Sequence, residues 1–475
     1  MSEAAGKAVA VLDVGKTNIK LNLVSPDGRV VETRSTPNAV VRDGLWRRHD
    51  LAGTEAWLLA QLAALCARHD IGSFIASGHG SAGVLVRQAE IEDPEPALPM
   101  IDYEQDLPED VRSAYAEQAG PFFDRGSAFM LGATHQARQM VWMERERPSD
   151  FAAAEAFLGV PQYWAWRLSG VPCAEFSYLG AQSHLWNVPE RRLADIVRRR
   201  GWERLMPAIR HAGDALGPVR PALARRHGLP PGLRIHAGLH DSSANFFRYQ
   251  SAGLEDFTLV STGTWIVALA QGADLSRLDE HRGMTCNSDL AGRPLGGCLT
   301  MGGREFSSVA GEQAEGATAD PALVSGLVEA GRMALPSFNE DDGLFPGSGA
   351  RGRYEGAPPV NAAERLALAV LYAALLTCEC VLALGEAERV VLDGSFVRDP
   401  AYCRLVAGLL PGSAVFVNRG GDGIASGAAL AIGAANGRGS PAMPLERAIP
   451  LSPPGLSAYA ARWRRLAHLQ EEPRK

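Results

Sequence analysis

The alternation of apolar and polar positions is clearest at two places in the chain, and both predict β-hairpins. Ala8–Leu12 is an apolar run, the turn Asp13-Val14-Gly15-Lys16-Thr17-Asn18 is polar, and Ile19–Val24 resumes the apolar pattern. The turn Pro26-Asp27-Gly28 then leads to a third strand, Arg29–Thr33. Beyond the midpoint, Phe257–Val260 leads into Ser261-Thr262-Gly263-Thr264, and Trp265–Ala270 leads out. Glycine allows close backbone approach at such tips, and hydroxyls with backbone N–H groups can cradle phosphate oxygens. One such tip is mostly just a turn. The same device once in each half predicts a duplicated α/β fold that holds a nucleotide.

Between and after the hairpins the pattern alternates helix and strand. Gly53–His69 has helical spacing, Ser73–Ser77 reads as a strand, and Gly78-His79-Gly80-Ser81-Ala82-Gly83 follows it. A Gly-rich turn at a strand end is where α/β folds place ligand-contacting groups. His79 and Gly80 are therefore candidates to meet a polyol, and a turn histidine without a ligand fits the same letters. The acidic, Pro-rich stretch Glu90–Pro108 holds Asp102-Tyr103-Glu104. Carboxylates beside an aromatic suit a sugar; a solvated acidic loop is the other reading. Residues 127–170 are expected to be helical, and Leu193–Arg204 is a basic helical stretch. A strand at Leu233–Ala237 runs into Gly238-Leu239-His240-Asp241, which opens a helix. Asp241 is thus either an N-cap or, beside two phosphate-type turns, a catalytic carboxylate.

In the second half, Gly302 and Gly303 lie in a Gly-rich stretch that has room to pass a nucleotide. Asp341–Gly356 reads as a long ordered loop, and Arg389–Leu392 is a strand ending in Asp393-Gly394-Ser395. Ala414–Val417 is another strand, Ser426–Ala431 opens a helix of small residues, and Leu456–Leu469 is an amphipathic closing helix. Leu366–Leu384 approaches membrane-span length, yet it carries Glu379 and follows the cap Asn361–Glu364, so a buried helix is expected.

Length and charge narrow the picture. At 475 residues the chain exceeds one hydrophobic core, and a division into 1–246 and 247–475 follows from the second hairpin. A formal net charge of −7 argues against nucleic acid or an anionic membrane as partner. Seven cysteines in no zinc or CxxC pattern suit reduced thiols, and Met1–Lys7 lacks a signal peptide's apolar core, so a cytoplasmic protein is expected.

These residues together resemble the FGGY family of carbohydrate kinases nearly end to end. Asp13-x-Gly15-x-Thr17 is similar to its first phosphate loop, and Gly238-x-x-Asp241 to its catalytic aspartate motif. Ser261–Thr264 is similar to the second phosphate loop, and Asp393-Gly394-Ser395 falls at the adenosine-side glycines. Asp422 with Gly427-Ala428-Ala429, and the Tyr459…Trp463 tail, also fit. The resemblance implies two actin-like (ribonuclease H-like) ATPase domains around a central cleft, with sugar mostly on the N-terminal and ATP mostly on the C-terminal domain. It implies Mg²⁺-dependent transfer of the γ-phosphoryl group to a sugar hydroxyl, with Asp241 as base and Asp13 and Asp241 beside the metal. Gly15, Thr17, Thr262, Gly263 and Thr264 would steady phosphate oxygens, with Lys16 near the β- and γ-phosphates. Three departures stand out: Lys16 replaces a small or hydroxyl residue, His79-Gly80-Ser81 replaces the Gln- or Met-His pattern of some xylulose-type relatives, and Asp102-Tyr103-Glu104 replaces the common Trp-x-Asp-x-Arg.

The departures point toward kinases of deoxy-ketohexoses such as rhamnulose or fuculose, with pentuloses next. The expected partners are a small sugar and ATP, and a homodimer is compatible with the sequence. Two other readings remain open: an actin-like ATPase with another acceptor, and a non-catalytic sugar-binding regulator with the kinase fold.

Overall fold

The computed structural model describes residues 6–42, 44–93, 96, 98–311, 316–340, 343–421, 423–437 and 443–469. The chain divides into two compact units. The first holds Met1–Leu254, Cys286–Pro294 and Asp422–Ala442; the second holds Glu255–Thr285, Leu295–Gly421 and Met443–Lys475. The sequence reading placed one boundary near 246; the chain instead crosses between units several times. Packing explains the late return, because the helix Gly423–Ala435 buries its small residues on the first unit's sheet.

In the first unit, β1 (Ala8–Val14), β2 (Asn18–Val24) and β3 (Val30–Pro37) form an antiparallel meander. β4 (Ile71–Gly78) runs parallel to β1, and β5 (Arg234–His236) and β6 (Leu239–His240) run parallel to β4. The core strand order is β3-β2-β1-β4-β5. β1 is apolar from Ala8 to Leu12 because both its faces are covered there, as parallel strands require. Ala10 and Leu12 join Phe74 and Ile235 against Leu58, Leu62 and Trp164. Val11 joins Ile75 and Leu239 on the opposite face, against Ala244, Ala428 and Ile432. The helix Asp241–Ser251 and the helix Gly423–Ala435 meet at Gly427, where a Cβ would lie 1.9 Å from the Ala244 carbonyl oxygen. Only small residues allow that contact, which explains the Ser-Gly-Ala-Ala run.

The second unit repeats the arrangement. β7 (Phe257–Thr262) pairs antiparallel with β8 (Ile266–Gln271), β8 with β9 (Pro294–Thr300), and β7 parallel with β10 (Arg389–Gly394). β11 (Ala414–Val417) runs parallel to β10, so the order β9-β8-β7-β10-β11 matches the first unit. Its core is the helix Ala362–Leu384, capped by Asn361, whose Oδ1 accepts the Glu364 N–H at 2.9 Å. That helix is long and apolar enough to cross a membrane, yet 89% of its apolar window is buried inside the protein. Trp463 packs in the same core and donates its indole N–H to the Ala334 carbonyl at 2.6 Å. All seven cysteines are free thiols.

Two helical expectations need correction. Residues 127–170 contain the helices Gln136–Glu146, Pro148–Ala153 and Val160–Ser169, but Ala156–Gly159 is a strand paired with Gly83–Val86. Gly83 makes room for that pairing: a Cβ there would meet the Phe157 ring at 2.1 Å. The stretch 193–204 breaks into a short helix, Asp195–Arg199, and a 3₁₀ turn, Trp202–Leu205, because Gly201 takes φ = +66° between them. Asp422, and residues 341 and 342 of the expected loop, lie outside the described residues.

Candidate active site

In the first unit, three neighbouring strands end together. Register places Val14 of β1 beside Gly78 of β4, and Gly78 beside His240 of β6. The chain leaves these strands through Gly15–Thr17, through the turn bearing His79 and Gly80, and through the helix that starts at Asp241. Carboxyl ends of parallel strands are where open α/β sheets place ligands. Gly238 makes the last exit possible: it takes φ = +84°, and a Cβ would lie 2.6 Å from the Ala76 carbonyl oxygen. Asn38 pins the first loop, donating its main-chain N–H to Thr17 O and its side-chain amide to Gly15 O, each at 2.8 Å. Thr17 is exposed and Asp13 half-buried.

Asp241 is the first helical residue, and His240 occupies the N-cap position without making a side-chain cap. The Asp241 carboxylate accepts the Ser242 N–H, and His240 Nε2 lies 3.1 Å from its Oδ1. Its side chain stays 22% exposed. The helix N-terminus favours a carboxylate at that position.

Within the acidic segment, Asp102 is engaged by the protein itself. The Asp102 side chain is fully buried, and its oxygens are occupied by the Lys16 ammonium, the Arg47 guanidinium and, at 3.2 Å, the Glu104 N–H. Arg47 Nε donates to Asp102 at 2.6 Å and Arg47 Nη2 to Glu104 at 2.8 Å. Burial alone would raise the Asp102 pKa, but the bonds from Lys16, Glu104 N–H and Arg47 outweigh it and hold the carboxyl below its ordinary value. Asp102, expected on the sugar, is therefore an anchor for two cations. Lys16, expected on phosphate, is engaged by Asp102 and stands 3.3 Å from Glu104 and 5.1 Å from the Tyr103 ring centre.

His79 lies edge-on to Tyr103 at 5.5 Å and 5.8 Å from His49. Both ring nitrogens of His79 are buried and have no hydrogen-bond partner within the protein, and His49 Nε2 shares that state. A cavity of about 10 Å³, lined by Asn38, His49, Thr54 and His79 among others, has room for about one water beside them. Gly80 is buried against Ala181, 2.7 Å from where its Cβ would sit, so it shapes the turn. Arg47 and His49 carried no motif and were missed; only their tertiary partners reveal them.

Burial lowers the pKa of His79 to about 4 and of His49 to about 3, and it holds His135 and His184 well below the ordinary value. The folded state thus binds fewer protons than the unfolded chain, whose histidines titrate near 6.5. The stability these four groups contribute is fully present above about pH 6.5 and is lost as pH falls toward 4. Glu175, pushed up to about 7 by burial, works the other way in part of this window and is outnumbered. The thermal midpoint of the protein is expected to fall steeply between pH 6.5 and 4.5, and less steeply in His79→Gln; equal profiles for the two proteins would refute the assignment.

The second unit gathers the remaining candidates at the equivalent strand ends. Thr262 is buried, and its hydroxyl donates to Asp393 O at 2.8 Å and accepts the Phe396 N–H at 3.0 Å. A hydroxyl has one proton to give, so Thr262, expected on phosphate, holds the β7 and β10 ends together instead. Gly394 takes φ = +95° beneath Thr262, and Ser395 N–H donates to Thr262 O at 2.8 Å. Gly303 touches the hairpin tip: its Cβ would lie 2.2 Å from Gly263 O, and its N–H donates to Thr264 O at 3.0 Å. Gly302 opens the helix Gly302–Ala310. A cavity of about 510 Å³ lies here, lined by Gly263, Thr264, Gly303, Arg304, Ser395 and Phe396 among others. A second cavity of about 330 Å³ shares Phe306, Ser395 and Phe396 and is lined by Leu366, Val370 and Tyr402. The two phenylalanines, 5.3 Å apart, were not anticipated. Among the described residues no three His, Cys, Asp or Glu side chains converge as a metal cage.

The sequence matches the pattern described as "FGGY family of carbohydrate kinases, N-terminal domain" over residues 8–247, and "Carbohydrate kinase FGGY, C-terminal domain" over residues 254–440. L-fuculokinase of Escherichia coli (strain K12) is 27% identical over 308 residues, covering 60% of this chain and 61% of that relative, so the match spans under two thirds of its length. The solved carbohydrate kinase from Novosphingobium aromaticivorans is 30% identical, covers 98% of this chain and 99% of its own, and superposes with a TM-score of 0.86. The xylulose kinase from Rhodospirillum rubrum, at 20% identity and 98% coverage of both chains, shares the fold with a TM-score of 0.76. With its N-terminal pattern spanning half the chain, its C-terminal pattern most of the rest, and an actin-like fold of two α/β units shared with solved relatives, this chain belongs to the FGGY family of carbohydrate kinases.

Proposed function

We propose that the protein transfers the γ-phosphoryl group of ATP to a hydroxyl of a small uncharged ketose, with L-fuculose- and L-rhamnulose-type deoxy-ketohexoses first among candidates and pentuloses next. One observation carries the sugar side: His79, on the turn where β1, β4 and β6 end, lies edge-on to the Tyr103 ring. Its two buried ring nitrogens have no partner within the protein, and the adjoining cavity of about 10 Å³ has room for one water, through which a sugar hydroxyl would reach them. The cations Lys16 and Arg47 are each engaged by carboxylates, which favours a neutral sugar over a sugar acid. The similarity to an L-fuculokinase supports the sugar class.

On the nucleotide side, the two adjoining cavities fit a polar phosphate tail and an apolar-walled base, with Phe306 and Phe396 at the join. Thr264 offers its hydroxyl to the phosphates beside the start of the helix Gly302–Ala310, and Gly263, with open space where a Cβ would sit, leaves room for their approach. Ser395 lines both cavities, and Gly394 before it packs against Thr262. Magnesium fits this donor set, since it keeps several waters and takes one or two carboxylates with substrate phosphates in place of a protein cage. Asp13 and Asp241 are the carboxylates that would hold it, and it would supply charge neutralisation for the phosphate oxygens.

Asp241 accepts the proton of the attacking hydroxyl as the new P–O bond forms and the bond from the γ-phosphorus to the ADP oxygen breaks. Thr17, in the loop tied down from below by Asn38, presents a hydroxyl toward the transferred group, and Gly15, whose N–H closes the turn onto Asn18 O, shapes the loop that carries it. ADP release measured over a panel of ketoses, aldoses and gluconate tests the reading. Deoxy-ketohexoses are expected to give the highest kcat/KM and gluconate negligible turnover. Highest turnover on a sugar acid would overturn the substrate class.

A further inference from the structure

Glu175 is buried completely and takes no part in the chemistry above. It ends a two-residue strand, Ala174–Glu175, that pairs with Ile209–Arg210, and it caps the short helix Phe176–Leu179. Its carboxylate accepts the Ser177 N–H at 3.0 Å, the Ser177 hydroxyl at 2.7 Å and the Tyr178 N–H at 2.9 Å. All three donors are neutral, and desolvation pushes the carboxyl up to about 7. A buried carboxyl held in this way is costly, and apolar packing would be cheaper. Its partners show what it accomplishes.

Ser177 Oγ, having given its proton to Glu175, accepts the His240 N–H at 3.2 Å. That amide belongs to the residue immediately before Asp241. Tyr178 reaches the other way: its hydroxyl lies 2.9 Å from His79 O and 2.6 Å from Ala82 O. The Tyr178 ring passes over Gly159, where a Cβ would sit 2.2 Å from it, so the ring is held on a bare backbone. One four-residue helix therefore touches the main chain on both sides of the sugar site.

We infer that Glu175 is a positioning residue, fixing through Ser177 the backbone that aims Asp241 and through Tyr178 the turn that carries His79. The inference rests on the reading of Asp241 as base. A hydroxyl whose proton is committed to a carboxylate presents its lone pair in one direction only, so the His240 amide is held in one place. Displacement of a reacting group by about 1 Å costs on the order of a hundredfold in rate, which sets the scale.

Ser177→Ala removes the link and leaves Glu175, Tyr178 and the fold. It is expected to lower kcat roughly ten- to a hundredfold with the KM for ATP unchanged, and to speed exchange of the His240 amide at least about tenfold. Ser177→Thr restores both within a few-fold, because the hydroxyl returns. Glu175→Gln falls between wild type and Ser177→Ala, since one acceptor oxygen remains. Unchanged kcat in Ser177→Ala, or a loss that Ser177→Thr does not repair, overturns the inference. Wild-type protein inactive on every sugar would defeat the kinase reading instead, and amide exchange at His240 still reads the link without turnover.

Discussion

Asp241→Asn is expected to lower sugar phosphorylation by about 10²–10⁴-fold, the range general-base removal covers, while sugar binding persists. The substitution keeps shape and size at the first residue of the helix Asp241–Ser251. An amide oxygen can still accept the Ser242 N–H, so the helix start should hold. What disappears is a group able to take a proton from an alcohol. His240 Nε2, 3.1 Å away, is a poor substitute because burial lowers its pKa and its ring is committed beside Ser243. Turnover and calorimetric sugar binding, measured on the same preparation, separate the two effects. Near-normal turnover would remove Asp241 from the base role; loss of sugar binding with turnover would make it a binding residue only.

Gly394→Ala is expected to disable the nucleotide side. A Cβ there would lie 2.0 Å from Thr262 O and 2.7 Å from Thr262 N, at φ = +95°, where an L side chain is strained. Neither neighbour can yield easily, since Thr262 O accepts the Ser395 N–H and the Thr262 hydroxyl joins Asp393 to Phe396. Strain and overpacking each cost about 1–3 kcal/mol, so a loss of roughly 3 kcal/mol or more is expected, with the KM for ATP raised at least about tenfold. Gly412→Ala is the control, because nothing lies within 4 Å of its Cβ position and it lines neither cavity. Calorimetric midpoints and ATP titrations of both variants check this. If Gly394→Ala matches Gly412→Ala in both, the close approach is not what holds the loop.

The hairpin tips were legible because two apolar runs joined by a short turn of Gly and hydroxyl residues have few other solutions. Register confirms their equivalence: Asp13 pairs with Ser77 on the parallel neighbour, and Ser261 pairs with Asp393. Asp241 at a strand-to-helix junction was legible for the same local reason. Tertiary choices were not. Asp102 and Glu104 look alike as letters, yet one is fully buried under Lys16 and Arg47 while the other keeps 42% of its side-chain surface. Thr262 and Thr264 sit two apart in one motif, yet Thr262 ends the strand with its hydroxyl tied into the fold, while Thr264 lies in the turn beyond it and is exposed. The strand Ala156–Gly159 hid inside an apolar stretch whose four residues are too few to show a period. The return of Gly423–Ala435 to the first unit depends on Gly427 meeting Ala244, a contact no local pattern encodes.

Phosphorus NMR of the wild-type protein with ATP, magnesium and a deoxy-ketohexose asks the central question directly, because it shows where the γ-phosphorus goes. A sugar phosphomonoester signal growing in step with ADP, and absent without sugar, is the predicted result. Inorganic phosphate appearing at the same rate with or without sugar, or an ATP spectrum that never changes, would contradict it.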